Sequence, residues 1–349
     1  MMRIHIVLWS LAAILVAGCG KNDAGSDKAS GFDALLEQAL ANIAQGVPRA
    51  ADEAARAAVA QDPSSAEARL VEGQSAYLLR DYARARTSFA AVAEEADLPR
   101  ELRSQAYAAL AVVELAEEKV DCARLSLFRA VRLNFRNAAA WYHLGLLSRS
   151  TYHFYAAAKD QFDMACRLDP NSDRTRSTLR TTIPALRDQL AQQAAAKPGA
   201  AKRDPARAAK LLAEGYAAQK KKDDKKAADR FEQAAKADPL SWEAAWNLAK
   251  TLPEAEKGKS PVATVKRVLE AYENALDAKP SSRETCLSAA RFALQNRRPA
   301  AACQFLSHAL AHFYDSKPVV DLYIEALEKQ GTTESRNAAR LYRAYRKEL

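Results

Sequence analysis

The chain has 349 residues, with 52 Lys and Arg against 43 Asp and Glu, a formal net charge of +9. Alanine fills 77 positions, valine and isoleucine together 21 and glycine 11, which excludes a β-branched-rich sheet protein and argues against an enzyme built on a glycine-rich phosphate loop. With 49% hydrophobic and 27% charged residues the chain can bury a core, is not disordered, and reads as almost entirely helical.

The N-terminus carries one basic residue, Arg3, followed by a mostly apolar run from Ile4 to Ala17. As a helix that run spans about 21 Å against a hydrocarbon core of about 30 Å, so a cleaved export signal is expected rather than a membrane span. Its end, Val16-Ala17-Gly18-Cys19, resembles the lipobox of bacterial lipoproteins. That resemblance implies a signal peptide over 1–18, acylation of Cys19 and anchoring by two or three acyl chains, which hold essentially permanently. Gly20 stands where many inner-membrane lipoproteins carry aspartate. The same resemblance therefore favours the periplasmic face of the outer membrane, with inner-membrane anchoring left open. Residues 19–31 are polar and small and read as a flexible tether.

A repeat follows. Gly215, Ala227, Phe231, Ala234 and Pro239 are spaced 12, 4, 3 and 5 apart; Gly145, Ala158, Phe162, Ala165 and Pro170 are spaced 13, 4, 3 and 5. Gly73, Ala85 and Phe89 repeat the first two steps, and weaker copies run through Ala51-Ala55-Ala58-Pro63, Ala123-Leu127-Ala130 and Ala302-Leu306-Ala309. The pattern is similar to the tetratricopeptide repeat. The resemblance implies an all-α, right-handed superhelix of antiparallel helix pairs, about seven repeats in two blocks. On this reading the glycines and Ala85, Ala158 and Ala227 meet where two helices approach most closely, while Phe89, Phe162 and Phe231 fill a wider gap one turn later. Asp-Pro at 62–63, 169–170 and 238–239 stops a helix.

The first block is expected over 32–192, including an extra helix over 173–192 interrupted at Pro184. A linker rich in Pro and Gly covers 193–207, and the second block covers 208–349 with a charged terminal cap from Asp321. A longer spacing from Ala249 to Val268 predicts an inserted loop from Leu252 to Pro261.

Catalytic chemistry is not indicated. Gly258-Lys259-Ser260 resembles the end of a phosphate loop, but Pro253 stands where the earlier glycine belongs and a helix precedes it. His308 and His312, one helical turn apart, have no glutamate between them and no third ligand in view. No enzyme, metal or cofactor is expected. Cys122, Cys166, Cys286 and Cys303 are read as free thiols, because Cys286 and Cys303 sit at axial levels about 9 Å apart, beyond disulfide reach. Residues 197–226 hold ten Lys and Arg against four acids, a strip read either as a solvated face or as a contact for an acidic partner or lipid headgroups. Only Tyr216 interleaves, so nucleic acid is not expected.

In the resembling family, the first helices of successive pairs line a concave groove for peptides or partner helices. Projecting helix faces onto this chain places Leu70, Gln74, Tyr77, Tyr142, Leu146, Arg149, Leu212, Tyr216, Gln219, Trp246, Lys250, Leu287 and Arg291 there. The lysine-and-asparagine carboxylate clamp of chaperone-binding members is not recognisable. The functional expectation is a lipid-anchored scaffold for protein–protein contacts in the bacterial envelope, in secretion, pilus or outer-membrane assembly. The alternatives are an adaptor that recruits a cell-wall enzyme or captures a peptide or glycan and, ranked lower, an enzyme with dispersed residues.

Overall fold

The computed structural model describes residues 27–196 and 202–349. The signal peptide, Cys19 and most of the tether lie outside the described residues. The described chain is a succession of helices with no strand: α1 (Asp27–Ala44), α2 (Pro48–Gln61), α3 (Ala66–Leu78), α4 (Tyr82–Glu94), α5 (Arg100–Ala116), α6 (Val120–Leu133), α7 (Ala138–Ser150), α8 (Tyr155–Leu168) and α9 (Asp173–Ser177). After a π turn at Thr178–Thr182 come α10 (Ile183–Ala196), α11 (Pro205–Lys220), α12 (Asp224–Ala237), α13 (Trp242–Ala255) and α14 (Pro261–Ala278). The last four are α15 (Arg283–Gln295), α16 (Pro299–His312), α17 (Lys317–Gln330) and α18 (Thr333–Glu348). Two compact units result, one of residues up to Leu147 with Gln161–Arg176, the other of Ser148–Asp160 with Ser177–Leu349.

Two kinds of turn alternate along the chain. From first to second helix of a pair, the chain passes through a residue with positive φ: Gly46, Arg80, Glu118, His153, Lys222, Gly258, Arg297 and Gly331. In five of these turns the next residue donates its N–H to a carbonyl five residues back: Val47 to Asn42, Asp81 to Ala76, Lys119 to Glu114, Asp223 to Ala218 and Arg298 to Ala293, at 2.8–3.0 Å. This closes the orphan carbonyls of the helix end. A left-handed conformation costs a non-glycine residue about 1 kcal/mol or more, so that bond must offset local strain at Arg80, Glu118, Lys222 and Arg297.

From one pair to the next, the chain instead makes a four-residue turn that runs straight from C-cap to N-cap. The N–H of Ser65, Asn137, Ser241, Ser282 and Ser316 donates to the carbonyl three residues earlier, at 3.0–3.2 Å. The hydroxyls of Ser65, Ser241 and Ser282 then accept from the third residue onward, capping α3, α13 and α15, a contact of about 1 kcal/mol each. Asp62 and Asp238 occupy the C-caps with extended backbone, as the following proline demands.

The glycines act differently from expectation. A Cβ on Gly73, Gly145 or Gly215 would come within 2.7, 2.7 and 2.4 Å of the ring of Phe89, Phe162 or Phe231. The missing side chain thus seats the phenylalanine, rather than the alanine at Ala85, Ala158 or Ala227. Those alanines are fully buried, but they do not form the tight contact. The rings of Phe89, Phe162 and Phe231 are likewise buried.

Other boundaries also moved. Helix α1 starts at Asp27, inside the expected tether, and tolerates Gly31 at a cost of about 1 kcal/mol. Helix α13 runs through Pro253 to Ala255, so the inserted loop shrinks to residues 256–260. Pro253 stands in the last turn, so its missing N–H and its ring disturb only the end of the helix. Near Pro184, Ile183 N–H bonds to Thr178 carbonyl, five residues back. The break is therefore a π turn rather than a helix end, an arrangement that shifts the ladder beside a residue with no N–H. Of the expected linker, α10 takes the residues up to Ala196 and α11 those from Pro205, whereas 197–201 lie outside the described residues. The terminal cap is a full pair, α17 with α18, whose Tyr342 and Tyr345 are buried.

The first unit also buries a carboxyl. Glu114 on α5 is 8% exposed, and its pKa rises from 4.5 to about 7, chiefly because burial penalises the charge. A Ser126 hydrogen bond and the cations Arg129, Arg86 and Lys119 oppose the rise.

Two predictions follow from this packing. Gly215→Ala should destabilise by about 1–3 kcal/mol through overpacking, and Phe231→Ala by about 3–5 kcal/mol through a cavity. Combining Gly215→Ala with Phe231→Leu should cost less than the sum of the two single changes, as urea melts would show; strict additivity would mean the two residues do not share the contact. For Glu114, the folded pKa lies above the unfolded one, so its stabilisation is complete below about pH 4.5 and is lost as pH rises through about 7. At pH 8, Glu114→Gln should therefore gain up to about 3 kcal/mol over the wild type. Melts at pH 4 and pH 8 that shift equally for both proteins would contradict this.

Candidate partner-binding face

In the first unit, two expected groove residues face inward. Leu70 and Gln74 are each 1% exposed and belong to the packing between helices, because the first helix of a pair is flanked by helices on more than one side. Tyr77 is half-buried against Tyr82, the ring centroids 5.7 Å apart, and burial raises its phenol pKa. Tyr142 lies edge-on to Phe162 at 5.6 Å, and Leu146, one helical turn further on, is half-buried. Arg149, also half-buried, falls in the second unit.

The second unit holds the better-defined face. Tyr216 on α11 lies edge-on to Phe231, the ring it helps to cover, at 5.5 Å. Its hydroxyl donates to Glu243 Oε1 at 2.6 Å and accepts from Asn247 Nδ2 at 2.8 Å, both on α13. Burial, then the hydrogen bond to Glu243 and its negative charge, push the phenol up to about 12. One turn along, Gln219 Nε2 donates to Thr251 Oγ1 at 3.1 Å, and that hydroxyl donates to the Asn247 carbonyl at 2.8 Å. Helix α13 is tied onward to α15 by Trp242 Nε1, which donates to Thr285 Oγ1 at 2.9 Å. The first helices of three successive pairs are thus joined in series by side-chain hydrogen bonds, the second of them to the fully buried Thr285.

Two residues expected on that face are core. Leu212 is 9% exposed and Trp246 6%. Trp246 stacks on Trp242 at 5.8 Å and meets Tyr272 edge-on at 5.9 Å, so it bridges α13 and α14. Lys250, exposed, holds its ammonium 5.2 Å from the Trp246 ring centroid. The face therefore presents Tyr216, Gln219, Asn247, Lys250, Leu287 and Arg291, half-buried or exposed. Glu243, Asn247, Thr251, Trp242 and Thr285 were missed in the sequence. Their offsets of 27 to 32 from Tyr216 and Gln219 on α13, just under one repeat, could have found the first three.

His308 and His312 lie 5.6 Å apart, ring to ring, with Phe154 4.9 Å from His308. Burial, and then His312, lower the pKa of His308 to about 4; the pair is packed rather than a surface feature. Among the described residues no cluster of three His, Cys, Asp or Glu could hold a metal ion. In the 256–260 loop, Lys259 is paired to Glu256 at 3.2 Å, and the same carboxylate accepts from Thr264 and Arg267. That network holds the corner closed by itself. A cleft of about 740 Å³ lies between His153, Phe154 and Tyr155 and the helix faces of Glu273, Gln304 and His308. Among the described residues, Cys122, Cys166, Cys286 and Cys303 form no disulfide. Burial raises the thiol pKa of Cys286 to about 12 and of Cys303 to about 11. No helix of the described residues is long and apolar enough to cross a membrane.

No protein-family model matches the chain, and no curated protein matches it. Solved structures do. A tetratricopeptide repeat protein of Parabacteroides merdae is 13% identical, with 85% of this chain and 99% of that one covered and a TM-score of 0.35. The TPR2AB domain of yeast Sti1, in its pHSP90 complex, is 12% identical over 85% of this chain and 99% of its own, at a TM-score of 0.31. The pilF protein of Pseudomonas aeruginosa is 16% identical over 86% and 100%, at 0.27. The helix-pair array of the present chain is established by its own turns, caps and packing.

The face makes a prediction that separates its two aromatics. Trp246→Ala should destabilise by about 3–5 kcal/mol, as much as a buried phenylalanine does. Tyr216→Phe keeps the ring and loses only its hydrogen bonds, and should cost about 1–3 kcal/mol. Thermal melts in which Trp246→Ala is as mild as an exposed substitution would return Trp246 to the surface.

Proposed function

We propose that the chain is a non-enzymatic scaffold that binds a protein or peptide partner on the α11–α13–α15 face of its second unit. The observation that carries this reading is the hydrogen-bonded tie between those helices. It rigidifies three first helices and leaves a phenol, two amides, two cations and Leu287 half-buried or exposed on one side. A pre-ordered face of this kind costs little ordering entropy on binding. Its composition suits an extended or helical segment with an apolar anchor and carboxylates.

The lipobox-like Val16-Ala17-Gly18-Cys19 supports an exported protein held by acyl chains on Cys19 at the periplasmic face of the outer membrane. An assembly role in the envelope (secretion, pilus or outer-membrane assembly) fits such an address. Partner binding is tested by Lys250→Glu with Arg291→Glu, both exposed. A partner co-purified stoichiometrically from detergent extracts of the wild type should be lost by at least tenfold in the variant while its melt is unchanged. Retention of the partner by the charge-reversed face would refute the site. Cys19→Ala should release the protein from membranes, and mass spectrometry finding an unmodified Cys19 in the mature wild-type chain would refute the anchor.

A further inference from the structure

The same turn alternation that aligns the first helices also sorts charge between the two ends of the second unit. Each pair there is closed by a short turn, and its helices must be antiparallel. The α11–α12, α13–α14, α15–α16 and α17–α18 turns therefore share one edge, and the α12–α13, α14–α15 and α16–α17 turns share the opposite one. The first of these edges carries Lys220, Lys221, Lys222, Lys225 and Lys226 at the α11–α12 tip, all exposed. Arg297 and Arg298 follow at the α15–α16 tip, also exposed. None of the seven makes an ion pair among the described residues.

The acids within the lysine tip are otherwise engaged. Asp223 caps α12, its Oδ1 accepting the Lys226 N–H at 3.1 Å. Asp224 sits in the first turn of α12, where the helix N-terminus stabilises it. Between the two tips, the lysines of the 256–260 loop are already paired, Lys257 with Glu254 and Lys259 with Glu256. The opposite edge is mixed in sign, with Asp238, Lys279, Asp315 and Lys317 at its turns. Asp238 is held there by Arg203 at 2.6 Å.

We infer that this basic edge docks on an anionic phospholipid surface. Its unpaired cations lie on two separate turn tips of one edge, α11–α12 and α15–α16, while near the α17–α18 tip Lys329 is paired with Glu325 and Glu328 with Arg343. Two separated tips suit a flat sheet of headgroups better than a single bound chain. Lysine predominates, a mobile point charge rather than the fork that reads a fixed carboxylate or phosphate geometry. No aromatic ring lies among Lys220–Lys226 or Asn296–Arg298, so there is neither a platform for stacked bases nor an anchor for a protein hot spot. Juxtamembrane lysines of this kind each strengthen attachment to an anionic surface about fivefold, and the effect decays over a Debye length of about 10 Å at 0.1 M salt. The inference rests on the membrane address proposed above, and it gives the array an orientation on that membrane, α11–α12 tip inward.

The test uses the full chain with Cys19→Ser, so that no acyl chain contributes, and sedimentation with vesicles of phosphatidylcholine alone or with 30% phosphatidylglycerol. The apolar leader, with its basic Arg3, is common to the parent and the lysine variant, so its contribution cancels when their anionic preferences are compared. The expected result is at least tenfold tighter binding to the anionic vesicles, abolished by 0.5 M salt. Changing Lys220, Lys221, Lys222, Lys225 and Lys226 to Gln should remove at least tenfold of that preference with an unchanged melt. A control with Lys210→Gln, Lys236→Gln and Lys317→Gln should stay within threefold. Equal binding to neutral and anionic vesicles, or an undiminished preference in the five-lysine variant, would overturn the proposal. So would capture of polyglutamate or heparin without vesicle binding, which would assign the edge to an acidic polymer instead. Lipidation at Cys19 is read separately by mass spectrometry, so a failed vesicle test leaves the anchor and the partner face standing.

Discussion

The backbone at the helix ends is the constraint on which everything else in this protein depends. Eight times the chain leaves a first helix through a left-handed residue, and in five of those turns a hydrogen bond five residues back closes the end. Between pairs it passes from C-cap to N-cap in four residues, with a serine or asparagine at the second cap in five turns. Neither turn is long enough to let a helix reverse its place. Within each unit direction therefore alternates from helix to helix, first helices share a face, and the tips of like turns share an edge. A helix terminus left without these bonds would bury up to four unpaired groups, so the turns are energetically obligatory.

Within that frame, packing is set by what small residues leave room for. Gly73, Gly145 and Gly215 let a phenylalanine ring lie against bare backbone, and the resulting contact sets the separation of the two helices in its pair. Fully buried alanines such as Ala85 and Ala227 allow close approach elsewhere without fixing it. The buried polar groups are tolerated where a partner is at hand: Asp52 takes Ser75 and Arg84, and Ser104 links the Ala130 carbonyl to Asn137. Glu114 is the costly exception, since burial outweighs its nearby cations.

The face on α11, α13 and α15 shows why a helix projection finds a site only in part. Gln219, Lys250, Leu287 and Arg291 remain accessible there, and Tyr216 is half-buried, its ring against Phe231 of α12 and its hydroxyl bonded to α13. Leu70, Gln74, Leu212 and Trp246 occupy equivalent-looking positions and are buried. A projection treats each helix as if it had one inner and one outer side. In an array each first helix touches its own partner and its neighbours on both sides, so the apolar arc is wider than the projection allows. Trp246 is the clearest case: besides stacking on Trp242 of its own helix, it packs edge-on against Tyr272 of α14.

The sequence alone determined the helical class and the repeat, because propensity, Asp-Pro stops and a spacing of 12 or 13 and then 4 that recurs within this one chain are local facts. It also contained the lipobox-like leader and the lysine cluster. The tertiary structure decided which atoms those spacings bring together: glycine against phenylalanine rather than alanine, Tyr216 with Glu243 and Asn247, Pro253 inside a helix end, and a charged terminus that is a complete pair. Each of these turns on a distance of a few ångströms between residues up to about 30 positions apart, and no one-dimensional pattern carries distance. The same holds for the basic edge, whose Arg297 and Arg298 are 70 or more residues from Lys226 in the chain and share its side of the unit only because every turn between them reverses the helix direction.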